Sequence, residues 1–172
     1  MNVMANRPRR LESYIGGGWV AGAKEGVSLL DASTGAPVAL IDSSGIDFKL
    51  ALAYGRDKGG SALRRMSFHD RATMLKALGQ ALLEMKEEFY ALSTATGATR
   101  ADSWVDIEGG IGTLLSYASK GRRELPNDRI IIDGDLEVVS KGGTFVGQHV
   151  YTSLHGAAVH IKIGRASCRE RV

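Results

Sequence analysis

The apolar positions of this 172-residue chain change period twice, and the changes divide it into three stretches. From Tyr14 to Ile41, "YIGGGWVAGAKEGVSLLDASTGAPVALI" sets short apolar runs between turn-forming residues: Gly16 to Gly18, Gly26, then "DASTGAP" between "SLL" and "VALI". That pattern predicts short strands or extended segments joined by hairpins. A glycine triplet also suits a phosphate cradle, but such a loop needs a helix start behind it, and Trp19-Val20-Ala21-Gly22 starts none. The triplet therefore reads as a turn.

Helical spacing takes over next. Asp47 to about Arg56 predicts a helix opening on Asp47, with Phe48, Ala51 and Leu52 on its apolar face and Gly59-Gly60 weakening its end. In "SFHDRATMLKALGQALLEMKEEFYALSTATG", Ser67 is the candidate N-cap with Asp70 three residues on. Met74, Leu75, Leu78, Leu82, Met85 and Phe89 recur at helical spacing, so Met74 and Met85 are expected in the core, and Gly97 is a natural stop. Another helix is expected from about Asp102 to Lys120 through Val105, Ile111, Leu114, Leu115 and Ala118, ended by Gly121. The short connection makes the two an antiparallel pair.

After "RRELPND" the period becomes extended. "RIIIDGDLEVVSKGGTFVGQHVYTSLHGAAVHI" is rich in β-branched residues, with a "DGD" and a "KGG" turn, and predicts three or four strands. The last, "GAAVHI", is apolar and small-residued without polar alternation, as in a buried strand of a parallel sheet. The fold class is α/β.

Charge alters this picture only at the end of the chain. Lys162 to Val172 holds 4 of the 22 basic residues and 1 of the 19 acidic ones, which leaves 18 of each in a neutral remainder. A nucleic-acid or anionic-lipid surface is not expected from such a remainder. No apolar run reaches membrane-spanning length, and "MNVMANRPRRLESY" lacks the apolar core of a secretory signal, so the expected location is cytoplasmic. The only cysteine, Cys168, stands among Arg165, Arg169 and Arg171, a setting that would lower a thiol pKa.

Candidate chemistry elsewhere is thin. His149, His155 and His160 are clustered in sequence, yet no cysteine or carboxylate lies among them to close a metal site, so they are expected on strand surfaces. Glu87 with Glu88, and Asp133 with Asp135, fall on a solvated helix face and in a turn, where acid–base catalysis is not expected. No catalytic residue is assigned in residues 1–161.

The order of these pieces resembles the opening of the aldehyde dehydrogenase superfamily. "YIGGGWV" is similar to that family's initial extended segment, "DASTGAP" to its "NPATGE"-like turn, and "LSTATG" to the turn after its long helix, although Thr94-Ala95-Thr96-Gly97 replaces the usual "E-T-G-K". The likeness covers residues 11 to 161. Within the superfamily, "MSFHDRATMLKALGQALLEMK" and "KGGTFVGQHVYTSLHGAAVHI" look like the dehydrogenase half of bifunctional phenylacetate-degradation proteins, which fuse it to an enoyl-CoA-hydratase-like domain. Another subgroup of the family, or a small non-enzymatic binding protein, is the alternative.

The resemblance implies a fold of N-terminal hairpins, long antiparallel helices, arm strands that pair subunits over residues 129 to 153, and a first strand of a Rossmann-type sheet. It implies an enzyme in which a cysteine attacks an aldehyde, hydride leaves to NADP or NAD, and a glutamate activates water to release the acid. The aldehyde would be a CoA-thioester semialdehyde. Of that machinery only Ile161 matches a family position, one whose main chain borders the nicotinamide; the asparagine, cysteine and glutamate would follow it. The tail "KIGRASCRERV" is similar to the in-frame translation of a sequencing-library adapter. Residues 1–161 are thus expected to be an incomplete N-terminal portion of a dehydrogenase domain and 162–172 a non-native tail. Such a fragment is expected to be inactive and to bind no cofactor.

Overall fold

A computed structural model of the chain describes residues 8–160. The mixed α/β arrangement opens with five short strands: β1 (Arg9–Arg10), β2 (Glu12–Ile15), β3 (Gly18–Ala21), β4 (Val27–Leu30) and β5 (Pro37–Ile41). Strands β2 and β3 pair antiparallel with Ile15 opposite Gly18. Two intervening residues must both take positive φ to reverse the chain that tightly, and Gly16 (64°) and Gly17 (89°) do so. The triplet is a hairpin turn. Across it Tyr14 faces Trp19 edge-on, ring centroids 5.1 Å apart.

Strand β5 is the centre of a three-stranded sheet, antiparallel to β4 and parallel to β1. The β4–β5 reversal is held by Asp31, whose Oδ1 accepts from Ser33 N and Thr34 N, each at 2.8 Å. Asp42 locks the sheet to the connection beyond it. Its carboxylate accepts from Lys24 N (2.7 Å), Ser44 N (2.9 Å) and Ser44 Oγ (2.6 Å). The Arg10 guanidinium lies 3.7 Å away and donates to Gly22 O and Lys24 O.

Five helices follow: α1 (Phe48–Tyr54), α2 (Ser61–Arg65), α3 (Phe68–Glu84), α4 (Lys86–Thr94) and α5 (Arg100–Glu124). Asp47 caps α1 by accepting from Leu50 N at 2.9 Å. Helix α1 ends at Tyr54, close to the expected Arg56. A widened π-type turn over Gly55–Gly60 absorbs the glycines and carries the chain into α2. Helices α3 and α5 each begin with a reciprocal capping box, Ser67 with Asp70 and Thr99 with Asp102.

The long helix of the sequence reading is broken at Met85, whose ψ of 4° starts α4 afresh, and Gly97 (φ 74°) ends that second piece. Helix α5 runs antiparallel to both. Ala72 meets Gly121, Gly79 meets Leu115, Tyr90 meets Glu108, and Ser93 Oγ lies 2.8 Å from Ser103 Oγ. Gly121 does not end α5, because it sits inside the helix where α3 crosses most closely. A Cβ there would lie 3.2 Å from Ala72 Cβ, and one on Gly79 only 2.6 Å from Leu115 Cδ2.

The core is this seam: Ala72, Tyr90, Ser103, Ile111 and Ala118 are buried along it, with Ala39 in the β4–β5 sheet. Met74 and Met85, expected in the core, are each 44% exposed. With Leu78 they form a second apolar face of α3, turned away from α5. Trp104, Val105 and Tyr117 make a similar exposed set on α5.

Beyond α5, β6 (Ile130–Val138) and β7 (Val146–Thr152) form a long antiparallel hairpin, from Ile130 opposite Thr152 to Val138 opposite Val146. The "KGG" segment is its turn, where Ser140 Oγ accepts from Thr144 N and Phe145 N. The "DGD" segment is not a turn. Gly134 (φ 74°) is taken up as an irregularity inside β6, so two strands stand where three or four were expected. Residues 156–160 of "GAAVHI" form no strand. A strand exists only through its hydrogen-bonded neighbours, and none lies beside them among the described residues.

Candidate functional site

Three places gather polar chemistry. The first is where α4 meets α5. Tyr90 Oη donates to Glu108 Oε1 at 2.9 Å, Lys86 Nζ reaches the same oxygen at 3.3 Å, and the Arg100 guanidinium lies 3.6 Å over the Tyr90 ring. Burial, then the bond to Glu108, raises the Tyr90 pKa, while the Tyr90 hydroxyl lowers that of Glu108. A phenol held more firmly protonated beside a carboxylate held more firmly ionised is a fixed donor–acceptor pair. It joins two helices and does not supply a base.

The second is the groove between α3 and α5, about 710 Å³, with Leu83, Leu115 and Ala118 at its base and Lys76, Arg122 and Arg123 at its margin. The third lies at the foot of α3. Backbone and side-chain bonds tie that helix start to the α5–β6 connection: Phe68 N donates to Asp128 O (2.9 Å), Ser67 Oγ to Asn127 Oδ1 (2.8 Å), and His69 Nε2 lies 2.9 Å from Leu125 O. The end of β7 then folds back over α2 and α3. A cavity of about 540 Å³ is left between Leu63, Arg64, Phe68 and Arg71 on the helices and Tyr151 to Leu154 on the strand side.

The residues singled out by sequence are not brought together. His149 lies on β7 opposite Asp133, and His155 and His160 lie in the irregular stretch after it. No group of three or more histidine, cysteine or acidic residues suited to a metal ion occurs among the described residues. Glu87 pairs with Arg100 at 3.4 Å on an exposed face, and Asp133 accepts from Tyr151 Oη at 3.2 Å. Ile161, the candidate cofactor contact, and Cys168 lie outside the described residues.

The glycine triplet is spent on the β2–β3 turn, with no helix N-terminus behind it to meet a pyrophosphate. Sequence reasoning missed the Tyr90–Glu108–Arg100 cluster and the cavity at Arg71. The available signal for the second was a charged residue, Arg71, directly before the seam position Ala72. No helix among the described residues is long and apolar enough to cross a membrane.

No protein-family model matches the chain. It is 36% identical over 153 residues to the 3,4-dehydroadipyl-CoA semialdehyde dehydrogenase of Aromatoleum evansii. The aligned region takes in 88% of this chain and 30% of that relative, so the chain spans under a third of the relative's length. An identity that high over 153 residues makes this chain a relative of an aldehyde dehydrogenase.

Proposed function

We propose that this chain is the N-terminal part of an aldehyde dehydrogenase that oxidises a CoA-thioester semialdehyde to the acid, with NADP or NAD as hydride acceptor. The observation that carries the reading is the 36% identity over 88% of the chain to an enzyme named for such a substrate. The order of the motifs along residues 11 to 161 supports it. The aldehyde of phenylacetate breakdown after ring opening is the substrate within this reading, and a location in the cytoplasm goes with it.

In this account the chain contributes framework. Helix α3 presents a second apolar face for a nucleotide-binding sheet to cover, β6–β7 is an arm that pairs subunits, and "GAAVHI" becomes a strand when its neighbours are supplied. Residues 8–160 contain no cysteine, hence no thiol to attack an aldehyde, and no base poised to activate water. In this account Cys168 belongs to the tail and is not the family's nucleophile, and the 172-residue chain is inactive and binds no dinucleotide. Residues 162–172 are not native in this account.

The test is to read the source DNA through the codon for Ile161 and to express the open frame found there beside the 172-residue chain. Aldehyde-dependent reduction of NADP by the longer product alone is the expected result. Equal turnover by the 172-residue chain, or a longer frame without a cysteine and a glutamate, contradicts the reading.

A further inference from the structure

The cavity at the foot of α3 contains an anomaly. Arg71 Nε and Nη2 are both withdrawn from solvent, and neither has a hydrogen-bond partner among the described residues. The guanidinium instead lies face-on to the Phe68 ring, 4.7 Å from its centroid. Stacking on a ring leaves in-plane donors unsatisfied. A guanidinium cannot shed its charge at any ordinary pH, so burial does not relieve the deficit as it would for a lysine. Buried donors without acceptors are rare in folded proteins and call for a missing group.

The geometry narrows what that group is. Nε and Nη2 form one edge of the guanidinium, two parallel N–H bonds at the spacing of the two oxygens of a carboxylate. A lone carbonyl oxygen would leave the edge half-satisfied. The cavity, about 540 Å³, has Leu63, Phe68 and Leu154 in its walls and Arg64 as its other charged side chain. Arg64, Thr152 and Ser153 are the polar residues beside the unpaired edge of Arg71, and the rest of the wall is largely apolar.

We propose that this cavity is a carboxylate-binding site with the Nε–Nη2 edge of Arg71 as its fork. The carboxylate comes either from an aspartate or glutamate side chain of another polypeptide segment or from a free small acid. Leu154, 92% exposed on the outer wall, gives an entering group apolar surface to cover in both cases. The site does not depend on the dehydrogenase reading.

The experiment follows the Arg71 Nε–H resonance in the isotope-labelled 172-residue chain, assigned by its loss in Arg71→Lys. Acetate, the N-methylamide of N-acetylaspartate, and phosphate are titrated at matched ionic strength. A saturable downfield shift with slowed solvent exchange for both carboxylates, and none for phosphate, is expected. At least tenfold tighter binding of the aspartate derivative than of acetate assigns a protein side chain, and equal binding assigns a free acid. Arg71→Lys, which keeps the charge and loses the fork, abolishes the saturable thermal stabilisation that acetate gives the parent chain. No shift with either carboxylate, or an equal one with phosphate, overturns the proposal.

Discussion

The α3–α5 pair and the β6–β7 hairpin are of similar length and are built on opposite terms. In the helix pair the backbone bonds close within each helix, apart from the start of α3, where Phe68 N reaches Asp128 O. The seam is made of residues small enough for close approach, Ala72, Gly79, Ala118 and Gly121, around Ile111. In the hairpin, all residues from Ile132 to Val138 are exposed, and so are Phe145, Val146, Val150 and Tyr151. Isolated two-stranded ribbons are marginal in water without a third strand or a covering layer. The helix seam is self-sufficient, and the hairpin is shaped for something placed against it.

Substitutions sharpen the comparison. Truncating Ile111, 6% exposed at the centre of the seam, to alanine should cost about 3 kcal/mol in thermal or denaturant unfolding followed by helical circular dichroism. The matched change Leu136→Ala, at a residue 63% exposed on β6, should cost less than about 0.5 kcal/mol. Equal losses at the two sites would remove the distinction between them.

Close approach is tested at Gly79. A valine there forces atoms into Leu115, which lies 2.6 Å from the position of the added Cβ, and should destabilise by about 2 kcal/mol despite replacing a helical glycine. A neutral or stabilising Gly79→Val would mean that the helices separate freely. A smaller loss, about 1 kcal/mol, is expected for Thr99→Ala, which removes the cap of α5. Amide exchange at Ser103, near the start of that helix, should speed up accordingly.

The smallest expected effect is at Asp42, whose carboxyl is lowered to about 2 from 3.8 by the bonds from Ser44 and Lys24 N. A depressed carboxyl stabilises the folded state above its unfolded value, and the contribution is lost as pH falls through the folded one. The β4–β5 sheet should therefore weaken between about pH 4 and pH 2. Asp42→Asn should flatten that dependence. An unchanged pH profile in the variant would show that the carboxylate has no such role.

What could be read from sequence divides along the same line. The caps at Asp47 and Ser67 and the Gly16-Gly17 turn are local, set by residues within a turn of one another, and each stands in the structure as expected. Features that depend on distant chain were not legible. Gly121 has the composition of a helix stop, and only the approach of Ala72 shows it to be a packing site within α5. Met74 and Met85 carry a core-like period, but what would cover them is not part of the described structure. "GAAVHI" has the residues of a buried strand and no neighbour to make it one. Chemistry followed the same rule: the partners of Tyr90 lie 10 and 18 residues away on another helix, beyond any local motif.

The claim that a self-sufficient helix seam carries segments awaiting cover is tested most directly by amide hydrogen exchange on the monomeric chain. The account predicts the slowest amides in α3 and α5 between Ala72 and Ala118, with β6, β7 and residues 153–160 exchanging orders of magnitude faster. Uniform protection across both regions, lost in a single cooperative step, would contradict it.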